Sequence, residues 1–298
     1  MTPAGAPSRR PLDATAYGVM LALCVLWGLQ QVAVKTILGD ISPVMQGALR
    51  SSVATLLLVA WMRQRGIDVI ANDGLLPSGL FVGVLFGIEF VCIYLGLQHT
   101  NASRMSVFVY LAPPLTALGV HWFVPGEHLS ARQWIGIALA FGGIAVAFGE
   151  GFLSASGATA LGDGLGIAAA VIWATTTVAI RLTPLSHAPA EKTLLYQIGL
   201  SVPILFLASH VLGEPGIVTL SAKAIASLAF QSIVIAFASF LAWFWLLTRY
   251  LAGRLAVFSF LTPLFGVAFG VLLLGEPVTL QFLAAVVMVG AGIALAAR

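Results

Sequence analysis

The feature that most constrains this chain is a succession of apolar runs, each about 20 residues long, separated by short polar loops. A helix of that length crosses the roughly 30 Å hydrocarbon layer of a bilayer. Only 8% of the residues are charged, whereas a soluble domain has about 25%. The alternating segments of about ten residues that are typical of membrane β-barrels do not occur in the sequence. The sequence therefore predicts an all-α integral membrane protein surrounded by bilayer lipid.

Ten transmembrane helices account for the apolar runs, and residues 1–15 are predicted to form a disordered cytosolic tail. The first run is too long for the apolar part of a signal peptide, and no small-residue cleavage site follows it. We therefore expect the first helix to be retained. The predicted helices cover residues 16–38, 43–62, 76–97, 102–123, 131–149, 161–183, 190–211, 221–247, 253–274 and 278–297.

The distribution of Lys and Arg predicts how the helices are oriented. The termini and the even-numbered loops hold ten of these residues, and the odd-numbered loops hold two, Arg104 and Lys223. Because Lys and Arg accumulate in cytoplasmic loops, we expect both termini in the cytoplasm, with the chain in a bacterial inner membrane. With so few charges their placement matters more than the net charge of +3, which therefore indicates no affinity for nucleic acid, and we expect no nucleic-acid partner. The ten residues are Arg9, Arg10, Arg63, Arg65, Arg132, Arg181, Lys192, Arg249, Arg254 and Arg298.

Three sequence blocks occur twice in the same order, which predicts two homologous five-helix repeats, residues 16–150 and 161–298. Because five is odd, the second repeat enters the membrane from the opposite side. Such a 5+5 inverted repeat is common in secondary transporters, whose substrate site lies near the membrane midplane between the repeats. The matched pairs are WGLQQVAVK (27–35) with WATTTVAIR (173–181), ASRMSVFVYLAPPL (102–115) with AGRLAVFSFLTPLF (252–265), and GEHLSARQWIGIALAFGGIAVA (126–147) with GEPVTLQFLAAVVMVGAGIALA (275–296).

This pattern resembles the drug/metabolite transporter superfamily and, within it, the EamA-type transporters. The shared features are a Trp in the first helix of each repeat, a Pro inside the fourth (Pro113, Pro263) and a Gly-Glu pair before the fifth (Gly126-Glu127, Gly275-Glu276). A carboxylate in the third helix and many inward-facing aromatic residues are similar to the bacterial exporters of aromatic and other neutral amino acids, the YddG type. The resemblance covers the chain after its tail and implies export of small metabolites.

Glu89 is the one acidic residue deep within a predicted helix. A charge at the bilayer centre costs about 2.5–3.5 kcal/mol on insertion scales, so such a residue usually faces the protein interior or water. Gly79, Gly83 and Gly87 form a seam of small residues, and Glu89 lies about 200° round the helix from Gly87. We therefore expect the seam to pack against a neighbouring helix and Glu89 to face a central cavity.

Arg50 is the predicted partner of Glu89, because the two residues lie about 10 and 12 Å from the outer ends of their helices. Two roles stay open for them. They could form a structural ion pair that locks two helices together. Alternatively, Glu89 could bind a substrate ammonium group or a proton while Arg50 binds the substrate carboxylate.

Two polar stripes, one on the first helix of each repeat, are further candidates for the cavity wall. Residues three, four and eight positions apart share one helical face. The stripes could instead consist of Trp residues that fill the core and long cations that snorkel to the membrane surface. Because glutamines facing lipid would be costly, we favour the interior. The stripes are Trp27, Gln30, Gln31 and Lys35, and Trp173, Thr176, Thr177 and Arg181.

Aromatic residues near equivalent helix positions of the two repeats complete the candidate site. Such rings could fill the core, or they could line a cavity that accepts an apolar side chain and, by cation–π attraction, an ammonium group. Pro113 and Pro263 break the backbone hydrogen bonds of their helices, which predicts either a fixed kink or a gate. The aromatic candidates are Tyr94, Tyr110, Trp243, Phe244 and Phe260.

Sequence motifs of other function classes are missing. No H-E-x-x-H, Walker A, second intramembrane Asp or metal-ligand spacing of Cys and His occurs, so we expect no enzyme, cofactor or metal site, with an intramembrane enzyme as a distant alternative. We predict a secondary transporter that exports small metabolites, foremost aromatic and other neutral amino acids, by alternating access. An exporter of drugs or other metabolites is the alternative. Proton coupling, and the choice between monomer and homodimer, stay open.

Overall fold

The computed structural model describes residues 11–69, 73–99, 105, 108–148, 157–274 and 280–296, and nearly all of them are helical. The prediction of an all-α protein is confirmed, because these residues contain no strand, only isolated bridge residues such as the pair Ile41 and Ile217. The helices are α1 (Ala14–Lys35), α2 (Pro43–Gln64), α3 (Leu76–His99), α4 (Ala112–Phe123), α5 (Ala131–Phe148), α6 (Gly157–Leu182), α7 (Ala190–Val211), α8 (Ala222–Arg249), α9 (Ala252–Phe258), α10 (Leu261–Leu274) and α11 (Leu280–Ala296).

The outer surface of the bundle is apolar. Six of the described helices, α1, α2, α3, α6, α7 and α8, are long and apolar enough to cross a membrane, and shorter apolar helices accompany them. Large side chains such as Leu56, Leu207 and Val287 are 64–71% exposed on this surface. Water would not favour so continuous an apolar exterior, whereas lipid does. The chain is therefore a multi-pass membrane protein.

Glycine seams allow neighbouring helices to approach closely. A Cβ atom at Gly87 of α3 would lie 2.6 Å from Cδ1 of Ile204 in α7, and α7 also blocks side chains at Gly79 and Gly83. The predicted seam therefore packs against a helix. At the contact of α5 with α11, a Cβ atom at Gly136 would lie 2.6 Å from the carbonyl oxygen of Gly292. Small residues thus pair α5 with α11 inside the molecule.

Several predicted helices differ from the observed ones. The predicted fourth helix (102–123) is interrupted by a turn at residues 110–111, and the predicted ninth (253–274) by a turn at 259–260. Pro113 and Pro263 lie in the first turn of the helix that follows each break, where the missing N–H costs no hydrogen bond. In α8, residues Phe230–Ser239 form a π-helix. The length of an apolar run predicts a membrane-spanning segment, but it does not show where the helical hydrogen bonds of that segment are interrupted.

Side chains and loops tie the helices together at both ends of the bundle. At the first end, where α1 begins, the hydroxyl of Tyr250 donates to the Asp13 carboxylate, with both O···O distances 2.9 Å. At the second end, where α1 terminates, Ser221 donates to Asp40 over 2.7 Å. There the Glu214 carboxylate also accepts the backbone N–H groups of the first turn of α2. These contacts fix which helix ends meet around the interior.

Candidate functional site

A cavity of about 210 Å³ lies in the interior of the bundle. Its walls come mainly from α1, α3, α6 and α8, with further residues from the segment before α4, from α7 and from α10. The lining residues on α1 start at Trp27, near the middle of that helix, and reach Val34 close to its end. On α6 and α8 the lining residues instead reach Ile180 and Leu247, close to the ends of these helices at the first end. The cavity therefore extends from the middle of the membrane span toward both ends.

Most of the predicted site residues meet in this cavity. They come from four separate helices and from the segment before α4, and they are brought together by tertiary packing. Nine aromatic residues are among the lining residues, so the wall is largely made of rings. The predicted residues in the lining are Trp27, Gln30, Glu89, Tyr94, Tyr110, Trp173, Thr176, Thr177, Trp243 and Phe244.

Two described site residues, Phe260 and Arg50, are not part of the observed lining. Phe260 is fully buried in the hydrophobic core, although the matching position in the first repeat, Tyr110, lines the cavity. Arg50 lies outside the lining. The side chain of Gln31 falls outside the described part of the structure. Matching positions of the two repeats thus have different surroundings in this conformation.

Glu89 and Arg50 do not form the predicted contact pair. Among the described residues they are near enough for a Coulombic interaction, but no direct ion pair joins them. The guanidinium carbon of Arg50 instead lies 4.3 Å from the ring centre of Phe90 and 6.0 Å from that of Phe240. Both rings line the cavity. The Glu89 carboxylate therefore faces the cavity while the Arg50 guanidinium is covered by two phenylalanines.

The two tryptophans of the polar stripes make different contacts. The indole nitrogen of Trp27 donates to Ser239 Oγ over 2.9 Å, and its ring packs against Trp243 at a centroid distance of 5.8 Å. Trp173 packs against the ring of Tyr110 at 6.5 Å. The hydroxyls of Thr176 and Thr177 donate to backbone carbonyls one turn earlier. The hydroxyl hydrogens of these threonines are therefore already engaged within α6.

Sequence analysis missed several lining residues. Phe86 lies three residues before Glu89, Phe90 lies four residues before Tyr94, and Phe240 lies three residues before Trp243, so helical spacing could have found them. Two sequence features could have indicated that Gln197 of α7 lines the cavity. It is an amide inside an apolar run, and it lies 147 residues after Arg50, which agrees with the repeat offsets of 146 to 150.

A buried ion pair lies beside the cavity at the first end. Arg181 Nε lies 3.2 Å from Glu127 Oε1, and the two side chains are 1% and 4% exposed. The same guanidinium donates to the carbonyl oxygens of Leu247 and Tyr250, both over 2.6 Å. Glu127 also accepts the backbone N–H of Ala252 over 2.9 Å. The Glu127–Arg181 pair thus joins α6, the turn before α5 and the α8–α9 connection.

This pair gives Arg181 a buried position at the inner end of its stripe, unlike the snorkelling position that the sequence left as an alternative. The guanidinium is buried because it finds a carboxylate and two helix-end carbonyls, which together replace its hydration. Glu127 entered the sequence analysis only as half of a Gly-Glu pair. Its second copy, Gly275-Glu276, lies outside the described residues.

A second ion pair at the first end is more exposed. Asp73 precedes α3 and contacts the ammonium group of Lys192 in the first turn of α7, with side chains 28% and 11% exposed. The hydrogen bond from Lys192, helped by the backbone N–H of Leu75, lowers the pKa of Asp73 below its ordinary value. This pair links α7 to the loop after α2, and neither residue lines the cavity.

The described residues contain no group of three or more His, Cys, Asp or Glu side chains that could hold a metal ion. The polar groups that line the cavity are one carboxylate, amides, hydroxyls and indole N–H groups. Set among aromatic rings, these groups can bind a small amphipathic molecule by cation–π contact, apolar contact and hydrogen bonds.

Comparisons with known proteins agree with this architecture. The model of the EamA-like transporter family matches the chain twice, over residues 14–149 and 160–298. A "Probable amino-acid metabolite efflux pump" of Escherichia coli (strain K12) is 30% identical over 278 residues, with 90% of each chain covered. The "Uncharacterized transporter YoaV" of Bacillus subtilis (strain 168) is 22% identical over 277 residues, covering 92% of this chain and 94% of that protein.

A solved crystal structure shares the fold, with a TM-score of 0.79 and 21% identity over 96% of this chain and 98% of that one. The family model alone covers most of the chain, and it describes transporters. The chain therefore belongs to the EamA-like transporter family, within the drug/metabolite transporter superfamily, and is a small-molecule transporter rather than an enzyme.

Proposed function

We propose that this protein exports small metabolites, foremost aromatic and other neutral amino acids, by alternating access around the central cavity. The observation that carries the proposal is the Glu89 carboxylate in a cavity lined by aromatic rings, with the buried cation of Arg50 directly behind Phe90. One anion, one cation and an apolar wall are the groups that an amphipathic zwitterion needs.

Each part of such a substrate has a partner at this site. Glu89 binds the ammonium group, and the ring-lined wall accepts the apolar side chain and adds cation–π attraction. Arg50 binds the carboxylate once the Phe90 ring moves aside. A buried charge without a partner costs several kcal/mol, and a substrate carboxylate at Arg50 would remove that cost. A zwitterion pairs with both Glu89 and Arg50, whereas a simple amine pairs only with Glu89, so the site favours a zwitterion.

The helix contacts support two inverted five-helix repeats, residues 16–150 and 161–298. Helices at matching positions meet each other, α2 with α7 and α5 with α11. The contact of α1 with α10 has its counterpart in the contact of α6 with α4, and the double match of the family model divides the chain at the same place. Two related halves supply two related states, each open to one side, and Pro113 and Pro263 are then positions where each half bends.

The direction of transport and the location of the protein are part of the same proposal. The ten-to-two bias of Lys and Arg places the first end and both termini in the cytoplasm of a bacterium with the chain in its inner membrane. The E. coli relative is described as an efflux pump for amino-acid metabolites, which supports export and this substrate class. The transporter works as a monomer or a homodimer, and coupling to protons at Glu89 is one way to drive it.

Efflux from proteoliposomes tests the proposal. Vesicles that contain the protein and are loaded with labelled phenylalanine, tyrosine or leucine should lose label faster than protein-free vesicles. Glu89→Gln should reduce this efflux at least about tenfold, because it removes the carboxylate that binds the substrate ammonium group. Repeating the assay with and without a pH gradient separates proton antiport from facilitated diffusion.

Normal efflux in Glu89→Gln would remove Glu89 from the mechanism. Efflux of other metabolites or drugs without efflux of any amino acid would show that the protein is an exporter of a different substrate class.

A further inference from the structure

Gln197 is a buried amide in the cavity wall that the proposed zwitterion contacts leave unused. Its side chain is 1% exposed and belongs to the lining residues. Its amide nitrogen has no hydrogen-bond partner among the described residues. Buried polar groups in native proteins are nearly always hydrogen-bonded, so an unpaired donor at a cavity wall points to a ligand that supplies the partner.

The depth of Gln197 can be read from the contact of α3 with α7. A side chain at Gly83 of α3 would collide with the carbonyl oxygen of Tyr196, and one at Gly87 would collide with Ile204, so the two helices run in parallel. Gln197 is therefore level with Gly83. Glu89 follows Gly83 by six residues, which corresponds to about 9 Å along the helix axis.

This separation decides which part of a substrate Gln197 can contact. The ammonium and carboxylate groups of an α-amino acid are bonded to the same carbon atom. Their separation is much shorter than the about 9 Å between the backbone levels of Gln197 and Glu89, so a substrate whose ammonium group is at Glu89 holds its carboxylate nearer to that level than to Gln197. Arg50, which stacks on Phe90 next to Glu89, is the group at the right level for the carboxylate. Gln197 instead lies at the far end of the substrate side chain.

The part of the cavity near the first end, where Gln197 lies, is lined mainly by apolar side chains. Ile180 and Leu247 are lining residues close to the first-end termini of α6 and α8, and Phe86 lies halfway between the levels of Gln197 and Glu89. The hydroxyl of Thr177, three residues before Ile180 on α6, is already engaged with a backbone carbonyl. An amide carries both donors and an acceptor, so a single amide in an apolar region can select a ligand hydroxyl or N–H by hydrogen bonding.

We propose that Gln197 determines substrate specificity by binding a hydrogen-bonding group at the far end of the substrate's aromatic side chain, an inference that rests on the proposed function. The favoured cargo is then an amine with an aromatic ring and a polar group beyond that ring, as in tyrosine, rather than one with a bare ring, as in phenylalanine. A site built to hydrogen-bond a ligand hydroxyl rejects the analogue that lacks it, because the buried amide then stays unpaired.

Binding of two amines that differ by one hydroxyl tests this inference without requiring transport. Tyramine and phenethylamine are titrated into the purified full-length protein by calorimetry. Wild type should bind tyramine roughly tenfold more tightly than phenethylamine. In Gln197→Leu the two affinities should become equal, because the gain from the hydroxyl is lost while the ring contacts remain.

Gln46→Leu is the matched control. Gln46 is also a fully buried glutamine, but it lies outside the lining and donates to the carbonyl oxygen of Ile41. This variant can lose stability, yet it should keep the tyramine preference. Equal affinity of wild type for the two amines, failure to bind either of them, or a preference that survives in Gln197→Leu would each overturn the inference.

Parallel efflux assays with tyrosine and phenylalanine separate this inference from the proposed function. A tyramine preference that depends on Gln197, without efflux of either amino acid, would overturn amino-acid export and leave the role of Gln197 standing. Efflux of both amino acids at equal rates, unchanged in Gln197→Leu, would keep export and remove Gln197 as a specificity residue.

Discussion

Among the described residues two arginines are almost completely buried, and their surroundings are opposite. Arg181 is 6% exposed and contacts a carboxylate and two backbone carbonyls. Arg50 is 1% exposed, and its Nε and Nη1 atoms have no hydrogen-bond partner among the described residues. Its guanidinium lies against the faces of two phenylalanines. One cation is held by the protein itself, whereas the other lacks the anion that its charge requires.

We infer from this difference that one charge serves the structure and the other the substrate. Removing one partner of a buried ion pair is strongly destabilising because it leaves the other charge uncompensated. A buried cation that has only cation–π contacts, worth about 0.5–2 kcal/mol each, gains little from the folded state. We therefore expect Arg181 to matter for folding and Arg50 to matter for the substrate.

The largest expected effect is on stability at Arg181. Arg181→Met should lower the free energy of unfolding in detergent micelles by about 3–5 kcal/mol, because Glu127 stays buried without its cation. The double variant Glu127→Met/Arg181→Met should recover part of the loss, since the unpaired carboxylate is gone. If Arg181→Met were no more destabilising than Arg50→Met, the distinction between a structural Arg181 and a substrate-binding Arg50 would be wrong.

The second expected effect is on transport at Arg50. Arg50→Met should leave the free energy of unfolding within about 1 kcal/mol of wild type, because an unpaired buried charge is replaced by an apolar side chain. Efflux of a zwitterionic substrate should fall roughly 10- to 100-fold with the loss of one charged hydrogen-bonded contact. Binding of tyramine, which has no carboxylate, should change little. Unaltered amino-acid efflux in this variant would contradict a substrate role for Arg50.

The smallest expected effect is on stability at the Asp73–Lys192 ion pair, which is more exposed than the Glu127–Arg181 pair. It tests whether burial determines how much an ion pair matters for stability. The pKa of Asp73 is lowered by Lys192, so the stabilisation from this carboxylate is fully present above the ordinary aspartate pKa of about 3.9. It is lost as the pH falls further, through the lowered pKa. Unfolding midpoints of wild type and Asp73→Asn should therefore differ slightly at neutral pH and converge under strong acid. If Asp73→Asn destabilised the protein as much as Arg181→Met does, the loss of stability would depend on breaking an ion pair and not on how deeply the pair is buried.

Part of the site could be predicted from the sequence. A carboxylate deep in an apolar helix has few energetically acceptable positions, so Glu89 was expected to face an interior cavity, and it does. Helical periodicity likewise grouped Trp27 with Gln30, and Trp173 with Thr176 and Thr177, and these residues lie in the cavity wall. Periodicity works here because residues on one helix have a fixed angular relation.

Contacts between helices were less predictable. Similar depths suggested that Arg50 pairs with Glu89, but depth fixes one coordinate and leaves the rotation and lateral distance of the helices open. The side chain of Arg50 turned to Phe90 and Phe240 instead. In the same way, Phe260 matches Tyr110 in the repeat, yet it is enclosed in the core.

The sequence by itself determined that the chain is helical, crosses a membrane several times and holds a carboxylate in its interior, because the cost of polar groups in lipid leaves no other arrangement. Only the tertiary structure decided which charges meet. It paired Arg181 with Glu127, covered Arg50 with two rings and left Gln197 unpaired at the cavity wall. These relations depend on how separate helices pack, and no local pattern in the chain encodes that packing by itself.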